Sequence, residues 1–363
     1  MYAKNSLVVQ SIKCYVALLG DYMKKNYYDK IILECKKHNK SQEFVDTYLA
    51  YYENLTQKGL PVISSPKHFS MLVGMDHDYI CSMAYSPKHF YRTFYIEKAN
   101  GMKRKISEPL PDLKYVQKWI LKNILEKVKV SPYAKAYVSN SSVKHNARFH
   151  RKQKVVLSMD IKSFFPSVKV KSIVDIFKSF GYTENVSCFL AYLCCNNYCL
   201  PQGAPTSPYL SNLRLLKFDS IISQYTSLRK IRYTRYADDL TFSGDFDPSN
   251  LIRFVSKCVW EEGFKINSDK TRVAYGNTRQ EVTGIVVNDK MQIPKTGRKK
   301  IRQEVYYIRK YGVSSHLSHI NETRVHYLNH LLGKINFALF VNPNDIEMKG
   351  YYDYIISIIE DVD

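Results

Sequence analysis

Apolar side chains recur at helical spacing through the first part of the chain. Residues 7–37 have this spacing and contain no proline, which predicts a helix. Ser41 is placed to cap a second helix that reaches about Gly59. A third, short helix is predicted from Ser65 to about Gly74. The N-terminal part of the chain is therefore expected to be helical.

The pattern changes to strands between residues 91 and 109. Apolar and polar positions alternate there on both sides of Asn100-Gly101, a dipeptide that strongly favours a tight hairpin turn. Residues 110–130 return to helical spacing and predict one long helix. Its apolar face consists of Leu113, Val116, Ile120, Ile124 and Val128.

The second half of the chain alternates between strands and helices. Residues 155–160 are an apolar strand that ends in Asp160, and residues 230–243 alternate as a hairpin around Ala237-Asp238-Asp239. The rest of the pattern predicts helices over 168–195, 209–223 and 249–263, strands over 272–275, 282–287 and 291–293, and a helical region from 295 onwards. This order predicts an α+β fold, with helices on one face of a sheet.

The charge of the chain extends the picture from fold to function. Its 363 residues carry 54 Lys and Arg against 33 Asp and Glu, a net charge of +21. Such a charge favours a polyanion as partner, and the 30 tyrosines suit stacking on bases. A solubility charge or a membrane-surface protein are the alternatives. The length and the 45% of hydrophobic residues predict two or three subdomains with a packed core.

Neither a membrane span nor a secretion signal is indicated. The chain has no run of 18 apolar residues, and its N-terminal apolar segment lacks the basic start and cleavage site of a signal peptide. The eight cysteines do not form a zinc-binding pattern, which favours reduced thiols. We therefore expect a cytoplasmic protein with no membrane partner.

Three carboxylates are candidates for chemistry. Asp160 ends an apolar strand, and Asp238 and Asp239 lie at the tip of a predicted hairpin. Mg²⁺ prefers a few carboxylates together with water and phosphate oxygens, so three Asp on adjacent strands suit a pair of ions that catalyses nucleotidyl transfer. An ordinary turn is the alternative, because Asp is common in hairpin turns.

Six segments of the chain resemble the motifs of reverse transcriptases. SMDIKSFFPS, LPQGAPTSP and YTRYADDLTFSG resemble the palm motifs A, B and C, and occupy residues 158–167, 200–208 and 233–244. FKINSDKTR and VTGIVVN resemble the next two motifs, and KRKISEPLPDLKYVQKWIL resembles the fingers motif; they occupy residues 264–272, 282–288 and 103–121. NARFH at 146–150 and the Val-Thr-Gly at 282–284 are typical of the retron branch.

The resemblance covers about residues 60–300 and implies a right-hand polymerase fold. Such a fold has fingers, a palm with an antiparallel sheet, and a small helical thumb. We expect an N-terminal helical extension at 1–60, fingers with the first palm elements at 61–155, the palm with the catalytic motifs at 156–290 and the thumb at 291–363. The residues after Val-Thr-Gly are too few for a ribonuclease H domain.

The resemblance also implies roles for single residues. The metal ions would be bound by Asp160, Asp238, Asp239 and the carbonyl of Ile161, and Lys270 would protonate pyrophosphate as a general acid. The incoming nucleotide would be bound by Arg104, Lys105, Phe165, Gln202 and Gly203, where the ring of Phe165 would exclude a ribose 2′-hydroxyl. The expected nucleic-acid contacts are Asn146, Arg148, His150, Arg151, Lys152, Arg298, Lys299 and Lys300.

Some of these residues also have a simpler interpretation. Phe165 suits a core aromatic residue, and Lys270 suits a surface lysine. Asn146 and His150 suit a local hydrogen-bonded pair. The basic hairpin around Arg104 suits a solvated face. These alternatives stay open at the level of sequence.

As a whole, the resemblance implies an RNA-dependent DNA polymerase of retron type that uses two Mg²⁺ ions, for which Mn²⁺ can substitute. Its product would be branched, RNA-linked single-stranded DNA (msDNA). Its partners would be dNTPs, a structured noncoding RNA as template and primer, an effector protein in phage defence, and an external ribonuclease H. The alternatives are another bacterial reverse transcriptase, of group II intron-like or abortive-infection type, and a catalytically silent RNA-binding scaffold.

Overall fold

The computed structural model describes residues 41–97 and 101–360, together with Asp29, Ile32, Leu33, Lys37 and Asn39. Most of the helix expected over 7–37, and Asn100 in the expected hairpin turn, lie outside the described residues. None of the helices in the described part of the chain combines the length and the apolar character that crossing a bilayer demands. The six cysteines in that part are free thiols.

Serine caps begin the first two described helices, and the cap at Ser41 was predicted from the sequence. The hydroxyl of Ser41 accepts a hydrogen bond from the N–H of Phe44 at 3.3 Å, and Ser65 accepts one from the N–H of His68 at 3.1 Å. The helices of this region are α1 (Gln42–Gln57), α2 (Pro66–Val73) and α3 (His77–Tyr85).

The predicted basic hairpin forms two strands of equal length. Strand β1 (Tyr91–Glu97) pairs antiparallel with strand β2 (Lys103–Pro109). The pairing places Arg104 opposite Ile96 and Lys105 opposite Tyr95, on an exposed part of both strands. The basic side chains of β2 are therefore accessible to a ligand.

Helix α4 (Pro111–Asn123) is shorter than expected, so the prediction of one helix to residue 130 is wrong. The amide of Asn123 turns back and donates to the carbonyl of Trp119 at 2.9 Å. Ile124 and Leu125 are adjacent and both fully buried. A tight 3-10 turn over Leu125–Lys127 places both in the core, beyond the single apolar stripe of a helix.

A four-stranded antiparallel sheet lies at the centre of the fold, in the order β4-β5-β3-β6. Its strands are β3 (Val155–Ile161), β4 (Arg232–Tyr236), β5 (Asp239–Gly244) and β6 (Ile266–Tyr275). Almost every residue of β3 is buried, which agrees with its apolar sequence. The two strands that carry the candidate carboxylates, β3 and β5, are neighbours.

Strand β6 begins six positions before the strand expected at 272–275 (272 − 266 = 6). Its first half, Asn267–Arg272, is polar and largely exposed, so it lacks the alternation that marks a half-buried strand. The pairing with β3 shifts register between Ser158 and Asp160, so the residues around Lys270 have no paired partner in β3, whereas Ile266 pairs with Ile161 at the end of β3. The correction matters because it brings Lys270 to the edge of the candidate site.

The helices around the sheet are more broken than the sequence pattern predicts. The stretch expected over 168–195 is interrupted at Gly181, and the stretch expected over 209–223 is divided at Leu215. The helices are α5 (Val143–Phe149), α6 (Phe164–Ser167), α7 (Val170–Phe180), α8 (Glu184–Cys194), α9 (Ser207–Arg214), α10 (Leu216–Ser227) and α11 (Pro248–Glu261).

Two clusters of buried apolar side chains stabilise the described chain. The first extends from Leu55 of α1 to Phe264 and includes the side of the sheet around Leu157. The second joins the C-terminal helices to Val282 and Val156. Its elements are β7 (Glu281–Val282), β8 (Ile285–Val286), α12 (Lys295–Tyr311), α13 (Val313–His319), α14 (Tyr327–Val341) and α15 (Ile346–Glu360). The expected domain boundaries at 60 and 290 stay predictions, although Leu55 and Val282 each pack across one of them.

Candidate active site

Three carboxylates converge at one edge of the central sheet. Asp160 lies at the end of β3 and is paired in register with Asp239, the first residue of β5. Asp238 lies in the turn between β4 and β5. One carboxylate oxygen from each of the three residues lies within 4.8 Å of the other two. Residues separated by some 80 positions in the chain therefore form one acidic cluster.

The tight turn before Asp239 makes this convergence possible. Tyr236 pairs with Asp239, so the turn consists of Ala237 and Asp238 alone. Ala237 is left-handed, with φ of 58°, which is uncommon for a residue with a side chain. The N–H of Ile161 donates to the carbonyl of Asp238 at 3.0 Å and fixes the turn against β3. Strand alternation alone would place Asp238 and Asp239 on opposite faces, but the turn brings them together.

A buried ion pair between Arg235 and Asp219 stabilises this turn from the protein interior. Arg235 and Asp219 are almost completely buried, and the guanidinium makes two bonds to the carboxylate, at 2.9 and 2.7 Å. Arg235 also donates to the carbonyl of Ala237 at 3.2 Å and to the side chain of Asn212 at 2.9 Å. No role was predicted for Arg235 from the sequence. A charged residue inside an otherwise buried strand was the signal that could have identified it.

The electrostatics of the cluster suit a cation. Burial raises the pKa of Asp239 to about 6, and the charges of Asp238 and Asp160 add to this shift. Burial also raises the pKa of Asp238. The ammonium of Lys270 lies 3.0 Å from one oxygen of Asp160, and the amide of Asn267 donates to the other at 3.0 Å. Three partly desolvated carboxylates with this spacing are a donor set that fits a divalent metal.

Four of the five predicted nucleotide-binding residues lie on two elements that are bonded to each other. Arg104 and Lys105 lie on β2, and the positive charge of Arg104 offsets part of the rise that burial causes in the pKa of Asp238. The N–H of Ser107 on β2 donates to the carbonyl of Gln202 at 2.8 Å. Gly203, with φ of 126°, lies so close to β2 that a Cβ would be 2.9 Å from the carbonyl oxygen of Ser107. The close approach that requires glycine here is thus made by β2.

Comparison with known proteins agrees with this geometry. Residues 96–330 match the family model described as reverse transcriptase (RNA-dependent DNA polymerase). The retron Ec86 reverse transcriptase of Escherichia coli is 33% identical and aligns with 77% of this chain and 88% of its own length. The retron Mx65 enzyme of Myxococcus xanthus is 31% identical over 81% of this chain and 72% of its own length. The chain belongs to the retron reverse transcriptases.

A third relative, the retron Mx162 reverse transcriptase of Myxococcus xanthus, is 36% identical over 54% of this chain and 47% of its own length. Family membership establishes the protein as an RNA-directed DNA polymerase with a right-hand fold, whose partners are an RNA template and a DNA product. The alternatives of a silent scaffold and of another bacterial reverse transcriptase are thereby set aside. Enzymes of this family generally depend on divalent metals, and the Asp160, Asp238 and Asp239 cluster provides a suitable site.

Two residues of the retron-type NARFH segment are buried in this reverse transcriptase. Asn146 and His150 are both 0% exposed, which argues against direct contact of their side chains with nucleic acid, and their role in positioning an RNA-facing loop stays a prediction. His150 Nδ1 lies 2.7 Å from the hydroxyl of Ser243, and its Nε2 lies 2.7 Å from that of Thr234. Thr234 in turn donates to the side-chain oxygen of Asn146 at 2.6 Å. The pair instead joins α5 to strands β4 and β5.

The direction of these hydrogen bonds determines which ring nitrogen of His150 carries the proton. Because Thr234 gives its proton to Asn146, it accepts from Nε2 of His150, and the Ser243 hydroxyl donates to Nδ1. Burial, together with the smaller effect of the charges of Arg232 and Lys135, lowers the pKa of His150 to about 3. The ring is therefore neutral and positions α5 behind the catalytic hairpin.

The basic residues expected to contact nucleic acid divide into two groups. Arg298 is bonded to the carboxylates of Asp345 and Glu347, which compensate its charge, and its contact with nucleic acid stays a prediction. Arg151 is half-buried and donates to the carbonyl of Asp289 at 2.8 Å. The exposed members, which keep the predicted role, are Arg148, Lys152, Lys299 and Lys300.

Phe165 follows Asp160 by five positions and is half-buried. Its ring centroid lies 5.4 Å from that of Phe164, and the residue packs against the first core. Ile161 is 1% exposed, and its N–H is used by Asp238. The roles predicted for the ring of Phe165 and for the carbonyl of Ile161 stay predictions.

Proposed function

We propose that this cytoplasmic enzyme copies a structured noncoding RNA into msDNA and acts in phage defence beside an effector protein. The catalytic part of this proposal rests on one observation. One carboxylate oxygen from each of Asp160, Asp238 and Asp239 lies within 4.8 Å of the other two. The retron part is supported by relatives named as retron reverse transcriptases that align with most of the chain. The net charge of +21 supports an extended polyanionic partner.

In this proposal two Mg²⁺ ions, or Mn²⁺ in their place, are held by Asp160, Asp238, Asp239 and the carbonyl of Ile161. When bound, such ions activate the attacking hydroxyl and neutralise charge on the pyrophosphate leaving group. Lys270 lies 3.0 Å from Asp160, close enough to the cluster to deliver a proton to the leaving group.

The other proposed roles concern the nucleotide. Arg104 and Lys105 bind its triphosphate, because both are exposed on β2 and the charge of Arg104 reaches Asp238. Phe165 excludes the ribose 2′-hydroxyl of a ribonucleotide. Gln202 and Gly203 face the nucleotide, and their bond to Ser107 sets the distance between β2 and the palm.

The same RNA serves as template and primer in this proposal. A guanosine 2′-hydroxyl within the folded RNA makes the first attack, so the DNA remains joined to the RNA by a branch. The copied RNA is removed by an external ribonuclease H.

Purification from the native host tests the proposal. The nucleic acid that copurifies with the wild-type protein should be a branched RNA–DNA molecule, which a debranching enzyme separates into two strands. The variant Asp238→Asn/Asp239→Asn should copurify with the RNA alone. Random cellular RNA without attached DNA, in the wild-type preparation, would rule out the msDNA proposal.

A further inference from the structure

A strained turn presents an exposed tyrosine beside the fingers. Residues 196–199 form a two-residue hairpin: the N–H of Asn196 donates to the carbonyl of Cys199 at 2.9 Å, and the reverse bond is 3.2 Å. Both central residues are left-handed, Asn197 with φ of 50° and Tyr198 with φ of 57°. Such a turn favours Asn-Gly, so a bulky Tyr in the second position is unfavourable for the fold.

The turn is nevertheless held firmly in place. The carbonyl of Tyr198 accepts a bond from the N–H of Val170 at 2.9 Å, and the N–H of Leu200 donates to the carbonyl of Val168 at 3.1 Å. The side chain of Tyr198 is 70% exposed, so burial does not compensate the strain of its backbone. A strained residue that is both rigid and exposed indicates a binding role.

Tyr198 forms one wall of a cavity of about 440 Å³, which we name the tyrosine pocket. Its other walls include Tyr192, whose ring centroid lies 6.4 Å from that of Tyr198, and Tyr85, which lies 5.7 Å from Tyr192 and is 57% exposed. Lys88 and His89 are exposed at the same pocket. The lining residues include no acid. Aromatic walls and a basic edge suit a flat, polar ring that is linked to an anion.

The pocket lies next to the strand that carries the proposed nucleotide-binding residues. Burial raises the pKa of Cys199, which closes the strained turn, and the nearby charges of Lys169 and Lys105 offset part of that rise. Gln202, three residues after Cys199, is bonded to β2 at Ser107. The pocket is therefore adjacent to the fingers strand that carries Arg104 and Lys105.

We propose that the tyrosine pocket binds an unstacked base of single-stranded RNA. The base stacks on Tyr198 and Tyr85, and the neighbouring phosphate is bound by Lys88. This inference rests on the proposed function, because it assigns a subsite to the RNA of that function. A protein partner would be the competing occupant, and the experiment below separates the two.

The turn itself offers a test that distinguishes folding from binding. In Tyr198→Gly the backbone strain is relieved and the aromatic wall is lost, so the thermal unfolding midpoint should stay equal or rise. The affinity for a fluorescein-labelled 12-nucleotide single-stranded RNA should fall between about fivefold and a hundredfold. Tyr198→Phe, which keeps the ring, and Tyr115→Ala, which removes a 51% exposed tyrosine from α4, should both bind within about twofold of wild type.

A second variant distinguishes a loss of RNA binding from a failure to fold. Tyr198→Asn keeps a residue that tolerates the left-handed conformation and also removes the ring, so it should reproduce the loss of binding. Wild-type affinity of both variants for the RNA would overturn the inference and leave a protein partner as the occupant.

Cross-linking gives an independent readout. RNA that carries 4-thiouridine should cross-link to peptides that contain Tyr85, Tyr192 or Tyr198, and cross-links to other peptides alone would overturn the inference. Primer extension on an RNA template with Mg²⁺ is measured in parallel. Absence of extension by the wild type, with the tyrosine cross-links present, would count against the proposed polymerase chemistry and support the pocket. Normal extension with wild-type RNA affinity of Tyr198→Gly would overturn the pocket alone.

Discussion

At the scale of single residues, Arg235 is the side chain on which the shape of the catalytic turn depends. Its guanidinium joins Asp219, Asn212 and the carbonyl of Ala237, the left-handed residue of the turn. All of these bonds lie in the interior, where an unpaired charge is expensive. Arg235 therefore contributes both to the stability of the fold and to the geometry of the catalytic turn.

Replacement of Arg235 by Met should destabilise the protein by about 3–5 kcal/mol, because Asp219 is left buried without its cation. Urea unfolding measures this loss. Lys257→Ala, which removes an exposed pair with Glu261 at 3.8 Å, is the control and should leave the midpoint nearly unchanged. A similar midpoint for both variants would contradict the role assigned to the buried pair.

The double variant Arg235→Met/Asp219→Leu separates the contribution of the ion pair to stability from its positioning of the turn. Replacement of both charges by apolar side chains should recover most of the stability. DNA synthesis should remain low, because the carbonyl of Ala237 has lost its donor. Full activity in a stable double variant would show that Arg235 does not position the turn.

His150 predicts a distinct dependence of stability on pH. Its pKa is lowered from 6.5 to about 3 by burial, so the unfolded chain takes up the proton more readily than the folded one. The stabilisation is complete above pH 6.5 and is lost as the pH falls towards 3, by about 1.4 kcal/mol for each pH unit in that window. Urea unfolding of wild type and His150→Gln between pH 7.5 and 5 checks this. The wild type should lose stability more steeply, and parallel profiles would contradict the assignment.

At the scale of elements, the contact between β2 and the turn at Gln202 and Gly203 joins two segments that are about 100 positions apart in the chain. A methyl group on Gly203 would meet the carbonyl oxygen of Ser107 at 2.9 Å, which is closer than side chains tolerate. The strand with Arg104 and Lys105 would then have to move away from the carboxylates.

Gly203→Ala should therefore reduce primer extension by roughly a hundredfold, since small displacements of positioning groups have effects of this size. Gly263→Ala is a matched control: its φ is also positive, at 80°, but a Cβ there meets no atom within 4 Å. Gly263→Ala should lower stability only through the strain of its left-handed backbone, and its primer extension should stay near the wild-type rate. Equal losses in both variants would show that backbone strain, not the contact with β2, is responsible.

Elements with strong local signals could be predicted from the sequence. The serine cap at 41, the short helix that starts at Ser65, the hairpin around residue 101 and the buried strand that carries Asp160 all formed as predicted. Each depends on a few neighbouring residues, whose preferences need no tertiary contact. The acidic cluster was also predictable, because a recognisable motif surrounds each of its members.

Features that depend on tertiary contacts could not be predicted. The polar first half of β6 is a strand because it pairs with the end of β3, and α4 ends where two adjacent apolar residues enter the core. Asn146 and His150 look like exposed, RNA-facing residues in a basic segment, yet their partners Thr234 and Ser243 lie more than 80 positions away. Sequence patterns do not reveal such distant partners.

At the scale of the whole molecule, the net charge of +21 predicts RNA binding that depends strongly on salt. Lys299 and Lys300 are exposed on α12, so each should contact a phosphate and release one counterion on binding. Replacement of both by Ala should reduce the slope of log affinity against log salt concentration by about 1.4–1.8.

Fluorescence titration of labelled RNA between 50 and 200 mM salt measures this slope. Lys178→Ala is the control, because Lys178 is already paired with Glu184 at 2.6 Å, and its slope should match wild type. An unchanged slope in the Lys299→Ala/Lys300→Ala variant would show that α12 lies away from the RNA phosphates.

Primer extension on an RNA template is the most direct test of the central claim, that Asp160, Asp238 and Asp239 together hold the metal ions of DNA synthesis. With Mg²⁺ and dNTPs, Asp238→Asn/Asp239→Asn should synthesise DNA at least about a hundredfold more slowly than wild type. Its affinity for RNA and its unfolding midpoint should be unchanged or higher, since two desolvated charges are removed. A folded double variant that still extends the primer at the wild-type rate would contradict the account.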